Sequence, residues 1–180
     1  LFHVLPEMGP VHTISIIPTG MGAAGYTMPL PEQDEMFNSR NKMLENIIVD
    51  LGGRVAEEMI FGDVTTGASQ DIKQATQLAR SMVTRFGMTD EFDMVAMETV
   101  NNQYLGGDTS LICAPDTAKR IDEQVVSIVK EQHQKALSIL KENEGKLHEI
   151  AAYLLEKETI TGDEFMEIFN RAGEEQVRGE

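Results

Sequence analysis

The sequence predicts a mainly α-helical fold, a helical bundle that carries one small β-hairpin. Apolar residues recur at three- and four-residue steps through several long stretches, which is typical of helices with one buried face. β-branched residues dominate one run near the start of the chain, which is typical of a strand. With 180 residues, of which 41% are hydrophobic, the chain is long enough for one domain with a core or for two small packed lobes.

The first predicted element is the hairpin. β-branched residues predict a strand over residues 11–18, and Pro18 ends the run. A turn at residues 19–22 leads to a short second strand over residues 24–28, which Pro29 stops. We therefore expect the chain to begin with a small antiparallel pair of strands.

Two helical stretches follow, on either side of a glycine pair. Residues 39–51 carry an apolar stripe made of Met43, Leu44, Ile47, Ile48 and Leu51. Gly52 and Gly53 are then expected to interrupt the helix, because two glycines cost roughly 2 kcal/mol of helix propensity relative to alanine. We expect another backbone to approach the pair closely, and the helix to resume over residues 54–61.

The next stretch begins as a loop of small and hydroxyl residues and becomes a run of good helix formers after Ser69. Ser69 is therefore the predicted N-cap. Asp71 falls in the first turn, where unpaired amides and the helix dipole favour a carboxylate. Gly87 stops this helix, which is predicted over residues 69–86. Its predicted buried face consists of Ile72, Ala75, Leu78, Ala79, Met82 and Val83.

The helical spacing of apolar residues disappears over residues 88–114. Asn101-Asn102 and Gly106-Gly107 mark a loop there, and residues 94–97 are a candidate for a short extended piece.

Pro115 then opens a long helix to about residue 142, and a second helix spans residues 145–156. Thr161 and Glu164 fit a capping box that opens a last helix through Phe169. The polar tail, residues 173–180, is expected to be frayed.

The composition excludes several classes of protein. A net charge of −15 gives a surface that repels nucleic acid and anionic lipid, so neither is expected as a direct partner. Cys113 is the only cysteine, which excludes an internal disulfide and suits a reducing compartment. No apolar run approaches the roughly 18 residues of a membrane span, and no phosphate-binding G-x-x-x-x-G-K-[ST] loop is present. We expect any membrane anchor or ATPase to lie outside this sequence.

The histidines do not form a recognisable metal site among themselves. No two of them have the i, i+4 spacing by which one helix presents two imidazoles to a zinc ion; they are His3, His12, His133 and His148. We interpret all four as structural residues, including His12 at the start of the first strand.

Several segments together resemble a known family. They are LGGRVAEEMIFG at residues 51–62, DVTTGASQDIKQATQLAR at 63–80, MVTRFGM at 82–88, PVH at 10–12, ISIIP at 14–18, GYT at 25–27, LPE at 30–32 and ETI at 158–160. This set resembles the peptidase domain of the FtsH-type, membrane-anchored, ATP-dependent zinc proteases, which belong to the AAA proteases. The resemblance covers nearly the whole chain.

By this resemblance, Asp71 is the third ligand of a zinc ion, and a carboxylate at a loop-to-helix junction suits that role. The other two ligands belong to an HExxH motif, whose Glu is the general base acting on zinc-bound water. The sequence contains no HExxH, so none of its residues is expected to be catalytic. The motif is expected a few residues before Leu1, with residues 1–5 as the tail of its helix.

The resemblance also assigns roles to a second acid and to the hairpin. Glu57 is expected to orient one zinc-binding imidazole through its carboxylate. The alternative is that Glu57 and Glu58 are a surface pair of acids, which the sequence favours when the resemblance is set aside. The hairpin lies near the zinc in the family, and its edge, including Gly25, Tyr26 and Thr27, binds extended substrate backbone. A purely structural hairpin that covers the helices is the alternative.

Two functions are consistent with these residues. In the first, residues 1–180 are the proteolytic domain of an ATP-dependent, membrane-anchored zinc metalloendopeptidase that acts on protein substrates. It comprises a site-bearing half (1–88), a loop (89–114), a helical half (115–172) and the tail. The family implies a homohexamer at the cytoplasmic face of the bacterial inner membrane, with ATP and magnesium bound by a separate ATPase domain. In the second, an inactive domain without HExxH serves oligomerisation or holds substrates.

Overall fold

The computed structural model describes residues 1–18, 24–30, 37–101 and 108–177. In chain order the elements are β1 (Val11–Ser15), β2 (Tyr26–Pro29), α1 (Arg40–Phe61), α2 (Ser69–Thr84), β3 (Glu98–Asn101), β4 (Asp108–Leu111), α3 (Pro115–Glu142), α4 (Glu144–Lys157), β5 (Thr159–Thr161) and α5 (Gly162–Val177). The fold is mainly α-helical with small antiparallel sheets, which confirms the predicted class.

The chain divides into two compact units, Leu1–Met36 with Ser138–Glu180, and Phe37–Leu137. The boundary after residue 137 falls within α3, whereas the sequence suggested a division at the loop of residues 89–114. Within the described ranges, no helix combines the length and the apolarity that crossing a bilayer requires.

The first unit is built around a three-stranded antiparallel sheet in the order β2-β1-β5. The predicted hairpin is present, but β1 ends at Ser15 and β2 begins at Tyr26, so both strands differ from the predicted bounds. The predicted turn at residues 19–22 lies outside the described residues. The sequence did not predict β5, whose Ile160 pairs with Ile14 and is fully buried. β5 therefore adds a third strand to the sheet that β1 and β2 form.

The capping box at the start of α5 is confirmed. The Thr161 N–H donates to Glu164 Oε2 at 2.8 Å, and the Glu164 N–H donates to Thr161 Oγ1 at 3.3 Å. The helix runs to Val177, beyond the predicted end at Phe169 and into the segment expected to be frayed. α5 packs against α4, as expected of a bundle.

The predicted interruption of α1 at the glycine pair is wrong, because the helix is continuous from Arg40 to Phe61. Gly53 is exposed, and a Cβ built there meets nothing within 4 Å, so no backbone of the described residues approaches it closely. The buried stripe continues past the pair, with Met43, Ile47, Ile48, Leu51 and Val55 in the core. Burial on both sides of the glycines outweighs their poor propensity. Ser39 caps the helix by accepting from the Lys42 N–H at 3.1 Å.

The predicted N-cap of α2 is also wrong. Ser69 is the first residue of the helix, and Ala68 before it makes no capping hydrogen bond through its side chain. A 3-10 turn, Thr66–Ala68, precedes α2, and Thr65 caps this turn by accepting from the Gly67 N–H at 3.2 Å. The cap therefore lies four residues before the predicted position, because the turn leads directly into the helix.

α2 packs against α1 through a face close to the predicted one. Ala75, Ala79, Met82 and Val83 are buried, while Ile72 and Leu78 are half-buried. The helix ends at Thr84, two residues before the predicted end. Gly87 follows with a φ of 58°, and a Cβ there would lie 2.8 Å from the Asp93 carbonyl oxygen.

The stretch after α2 contains a second hairpin that the sequence did not predict. β3 pairs with β4 in antiparallel register, with Glu98 opposite Leu111. The expected extended piece at residues 94–97 is not a strand; β3 begins at the next residue. Of the predicted loop markers, residues 102, 106 and 107 lie outside the described residues.

α3 matches its predicted bounds, and its buried residues are Ile121, Val125, Gln132, Ala136 and Leu140.

Candidate metal site

Four polar side chains form a stripe along α1 beside its buried face. Asn46, Asp50, Arg54 and Glu57 recur at steps of four, four and three residues, so they project from one side of the helix. Of this group, only Glu57 was predicted from the sequence to belong to the site. The spacing itself was the available signal for the other three.

The chain reverses direction at the end of α1 and returns to this stripe. Gly62 adopts a φ of 64°, and its N–H donates to the Glu58 carbonyl oxygen at 3.2 Å, which ends the helix in a left-handed cap. The loop that follows then brings Thr65 into contact with Glu57 and Arg54.

Thr65 is held by hydrogen bonds through its side chain and both backbone groups. Its hydroxyl donates to Glu57 Oε1 at 2.6 Å, and its N–H donates to Glu57 Oε2 at 3.3 Å. Its carbonyl oxygen accepts from Arg54 Nη2 at 2.5 Å. Arg54 Nε also lies 3.7 Å from Glu57 Oε2, within ion-pair range. We call this set of contacts the Thr65 clasp.

The clasp favours the ionised form of Glu57. The hydrogen bond from the Thr65 hydroxyl, followed by that from the Thr65 N–H, holds the pKa of Glu57 below its usual value, and the charge of Arg54 adds to the effect. An anionic Glu57 accepts stronger hydrogen bonds than a neutral one, so the contact with Thr65 is charge-assisted.

Asp71 lies in the first turn of α2, six residues after Thr65, and is exposed. In the described part of the chain its carboxylate makes no hydrogen bond and no ion pair. An exposed carboxylate with unengaged oxygens is a suitable hard ligand for a zinc ion. The placement predicted for Asp71 in the first turn is confirmed.

Asp50 is a neighbour of Asp71 that the sequence analysis missed. Burial, together with the negative charge of Asp71, raises the pKa of Asp50 to about 6. Asp50 lines an open groove between α1 and α2 of about 400 Å³, whose other lining residues are Asn46, Gln74, Gln77, Leu78 and Ser81. Two carboxylates from neighbouring helices therefore influence each other at the start of α2.

The predicted substrate-binding residues lie in the other unit. Tyr26 and Thr27 belong to β2, an edge strand of the first sheet, and Gly25 directly precedes it. Tyr26 pairs with Ser15, and a Cβ on Gly25 would lie 2.4 Å from the Ser15 carbonyl oxygen. Only glycine permits this close approach to β1 at the start of the edge strand.

The histidines have structural contacts. His3 Nε2 accepts from the Val11 N–H at 3.3 Å, and its ring stacks on Phe165 with centroids 4.8 Å apart. His12 Nδ1 lies 2.7 Å from Thr13 Oγ1, and His133 Nε2 lies 3.0 Å from Glu58 Oε2. Across the described ranges, no three His, Cys, Asp or Glu side chains are grouped so that they could hold a metal ion. Asp71 can therefore supply one ligand of a zinc site, and the described residues do not supply a complete set.

Comparison with known proteins gives consistent matches. The model of peptidase family M41 matches residues 2–168. The chain is 50% identical to the ATP-dependent zinc metalloprotease FtsH of Clostridium perfringens over 165 residues, which are 92% of this chain and 23% of that protein. It is 51% identical to the FtsH of Lancefieldella parvula over 162 residues, covering 90% of this chain and 25% of that protein.

A more distant match extends over almost the whole chain. The FtsH of Thermotoga maritima is 42% identical over 177 residues, covering 97% of this chain and 29% of that protein. The chain thus spans about a quarter of the length of these curated relatives.

Proposed function

The chain belongs to peptidase family M41 as an FtsH-type peptidase domain, and on this premise we propose that Asp71 is a ligand of a catalytic zinc ion. The proposed whole protein is a membrane-anchored, ATP-dependent metalloendopeptidase that degrades proteins. One observation carries the ligand role: in the described part of the chain, Asp71 is an exposed carboxylate with no hydrogen-bond or ion-pair partner. A carboxylate left unengaged at a helix start is ready to bind a cation.

In this proposal the two remaining ligands are histidines of an HExxH motif upstream of Leu1. The Leu5 N–H donates to the Leu1 carbonyl oxygen at 3.1 Å, which is a single α-helical turn and suits the tail of such a helix. A zinc ion bound there would polarise a water molecule and the scissile carbonyl group. Glu57 would orient one of the imidazoles, since each of its oxygens keeps a lone pair beside the hydrogen bond from Thr65.

The edge of β2 is proposed to bind the substrate. Tyr26 and Thr27 are exposed, and β2 has β1 as its sheet neighbour on one side. An edge strand offers backbone N–H and C=O groups in register, so it can bind extended peptides of many sequences. This mode suits a protease with broad specificity, and it assigns backbone contacts to Gly25, Tyr26 and Thr27.

The remaining properties concern the whole protein. The curated relatives are named ATP-dependent zinc metalloproteases, which supports a dependence on ATP. Binding of ATP and magnesium by an ATPase domain outside this chain is proposed from the resemblance. A homohexamer at the cytoplasmic face of the bacterial inner membrane is proposed from the resemblance. The alternative is a non-catalytic module for oligomerisation or substrate holding, which a full-length protein without HExxH in the roughly ten residues before Leu1 would favour. An HExxH motif immediately upstream in the full-length protein would exclude that alternative.

The test compares two Asp→Asn variants of the full-length protein. Asp71→Asn replaces an anionic ligand with a neutral amide, so we expect zinc affinity to fall at least tenfold and peptidase activity with it. Asp116→Asn makes the same change in the first turn of α3 and should leave both unchanged. Elemental analysis after dialysis against a zinc buffer gives the metal content. Wild-type zinc content and activity in Asp71→Asn would refute the ligand assignment.

A further inference from the structure

We propose that Thr65 is a positioning residue for the metal ligand: the Thr65 clasp fixes the turn that presents Asp71. This inference rests on the proposed function, because it takes Asp71 as the ligand. The inference assigns a role to Thr65, which is not itself a ligand. It also gives Glu57 and Arg54 a role in placing the Asp71 carboxylate.

The first step is that apolar packing does not hold the loop. The side chains from Asp63 to Gly67 are all exposed, and the first buried residue after α1 is Ala68. Conformational entropy favours a mobile backbone in such a segment, so polar contacts must fix it. The clasp supplies these contacts, because Thr65 engages Glu57 through two donors and Arg54 through its carbonyl oxygen.

The second step is that Thr65 fixes the conformation of the backbone between itself and Asp71. Its hydroxyl oxygen accepts from the Gly67 N–H at 3.2 Å while its proton is donated to Glu57. A Cβ on Gly67 would lie 3.3 Å from Thr65 Oγ1 and 3.8 Å from Glu57 Oε1, so the turn is closely wrapped around this hydroxyl. The Ser69 N–H then donates to the Thr66 carbonyl oxygen, which joins the turn to α2 without a flexible residue.

The third step is that the body of α2 does not place Asp71 unaided. The first fully buried side chain of the helix is Ala75, one turn beyond Asp71, and Ile72 is only half-buried. The first turn would therefore fray if its N-terminal side were free. Ala68 and the clasp secure that side, and a metal ligand must be held to within a fraction of an ångström of its productive position.

The experiment uses three variants of the full-length protein. Thr65→Val removes the hydroxyl and nearly preserves the volume, whereas Thr65→Ser keeps the hydroxyl. Thr66→Val is the matched control, because it makes the same change at the next residue, whose hydroxyl has no hydrogen bond in the described part of the chain. Zinc affinity is measured by competition with a chelator, and hydrogen–deuterium exchange is measured on the chelator-treated protein.

We expect Thr65→Val to lower zinc affinity by about tenfold, as is usual when a group that supports a metal ligand is removed. In the same variant, exchange should accelerate over residues 66–73 and stay unchanged over residues 75–83. Thr65→Ser should keep zinc affinity within about twofold of wild type, because serine retains the hydroxyl that forms the clasp. Thr66→Val should behave as wild type in both measurements.

Two failures are distinguishable. If wild type and Thr65→Val bind zinc equally well, the positioning role is refuted and the proposed function stands. If wild type binds no zinc, the proposed function fails and this inference fails with it. Loss of affinity in Thr66→Val equal to that in Thr65→Val would also refute the assignment, because the effect would then not depend on the clasp.

Discussion

Asp50 of α1 lies close enough to Asp71 of α2 for the charge of one carboxylate to hinder ionisation of the other. Burial is the larger cause of the shift, and it comes from the position of Asp50 in the groove between the two helices. In the metal-free protein, this interaction can be measured through the raised pKa of Asp50.

Replacing Asp50 should stabilise the chain at neutral pH. Its pKa rises from 3.8 to about 6 on folding, so the folded state holds the proton more tightly and loses stability as pH increases through this window. Asp50→Asn should therefore be more stable than wild type at pH 7 by roughly 1 to 2 kcal/mol after allowance for solvent screening. Below about pH 3 the advantage should vanish, since the carboxyl group is then largely neutral in both states. Urea titrations across this pH range measure the difference, and a constant difference would contradict the shift.

Removing the charge of Asp71 should change the titration of Asp50. In metal-free Asp71→Asn, the pKa of Asp50 should fall towards its ordinary value but remain raised, because burial persists. Carboxyl ¹³C NMR titration reports this directly. Asp116→Asn, in the first turn of another helix, is the control and should leave the titration unchanged. An unaltered pKa in Asp71→Asn would show that the two acids do not interact.

Gly162→Ala should destabilise the first unit strongly. A Cβ there would lie 2.1 Å from the Val11 carbonyl oxygen, and backbone rather than a flexible side chain stands in the way. The strain of forcing β1 and the start of α5 apart is expected to cost about 2 to 3 kcal/mol or more. The free energy of unfolding measures the loss. Gly145→Ala is the control, because a Cβ there meets nothing within 4 Å; a loss of similar size in that variant would contradict the steric explanation.

Gly53→Ala should have the opposite effect. Gly53 is exposed inside a continuous helix and has open space around the position of a Cβ. Alanine lowers the conformational entropy of the unfolded chain and should stabilise the protein by about 0.5 to 1 kcal/mol. Thermal denaturation should show a higher midpoint. A lower midpoint would indicate that another group occupies the space beside residue 53.

The long helices were predictable from sequence because their signal is local. α3 repeats its apolar residues at three- and four-residue steps from Ile121 to Leu140, and its predicted bounds match. β5 is only three residues long and exists through its pairing with β1, about 145 positions earlier. Local pattern cannot reveal such a strand. The break predicted at the glycine pair was wrong for a related reason. The low helix propensity of glycine is visible in the sequence, whereas the burial of the flanking apolar residues that outweighs it is not.

Part of the candidate site was predicted from the sequence. The resemblance predicted roles for Asp71 and Glu57, and the first-turn position of Asp71, which the structure confirms, followed from the helix formers after Ser69. Arg54 and Thr65 were missed because their roles depend on the loop returning to α1 after Gly62. Asp50 was missed because its interaction with Asp71 requires two helices to pack. The polar stripe on α1 was nevertheless visible as a repeat of three- and four-residue steps.

The pairing of β1 with β5 constrains the order in which the chain can mature on the ribosome. One unit is continuous in sequence, from Phe37 to Leu137, and all its contacts become available while translation is still under way. The other combines β1 and β2 with β5 and α5 from far along the chain, so the β1–β2 hairpin, too small to be stable alone, must wait until those later elements have emerged. Vectorial emergence of the polypeptide thus exposes this hairpin well before the strand that pairs with β1 has been made.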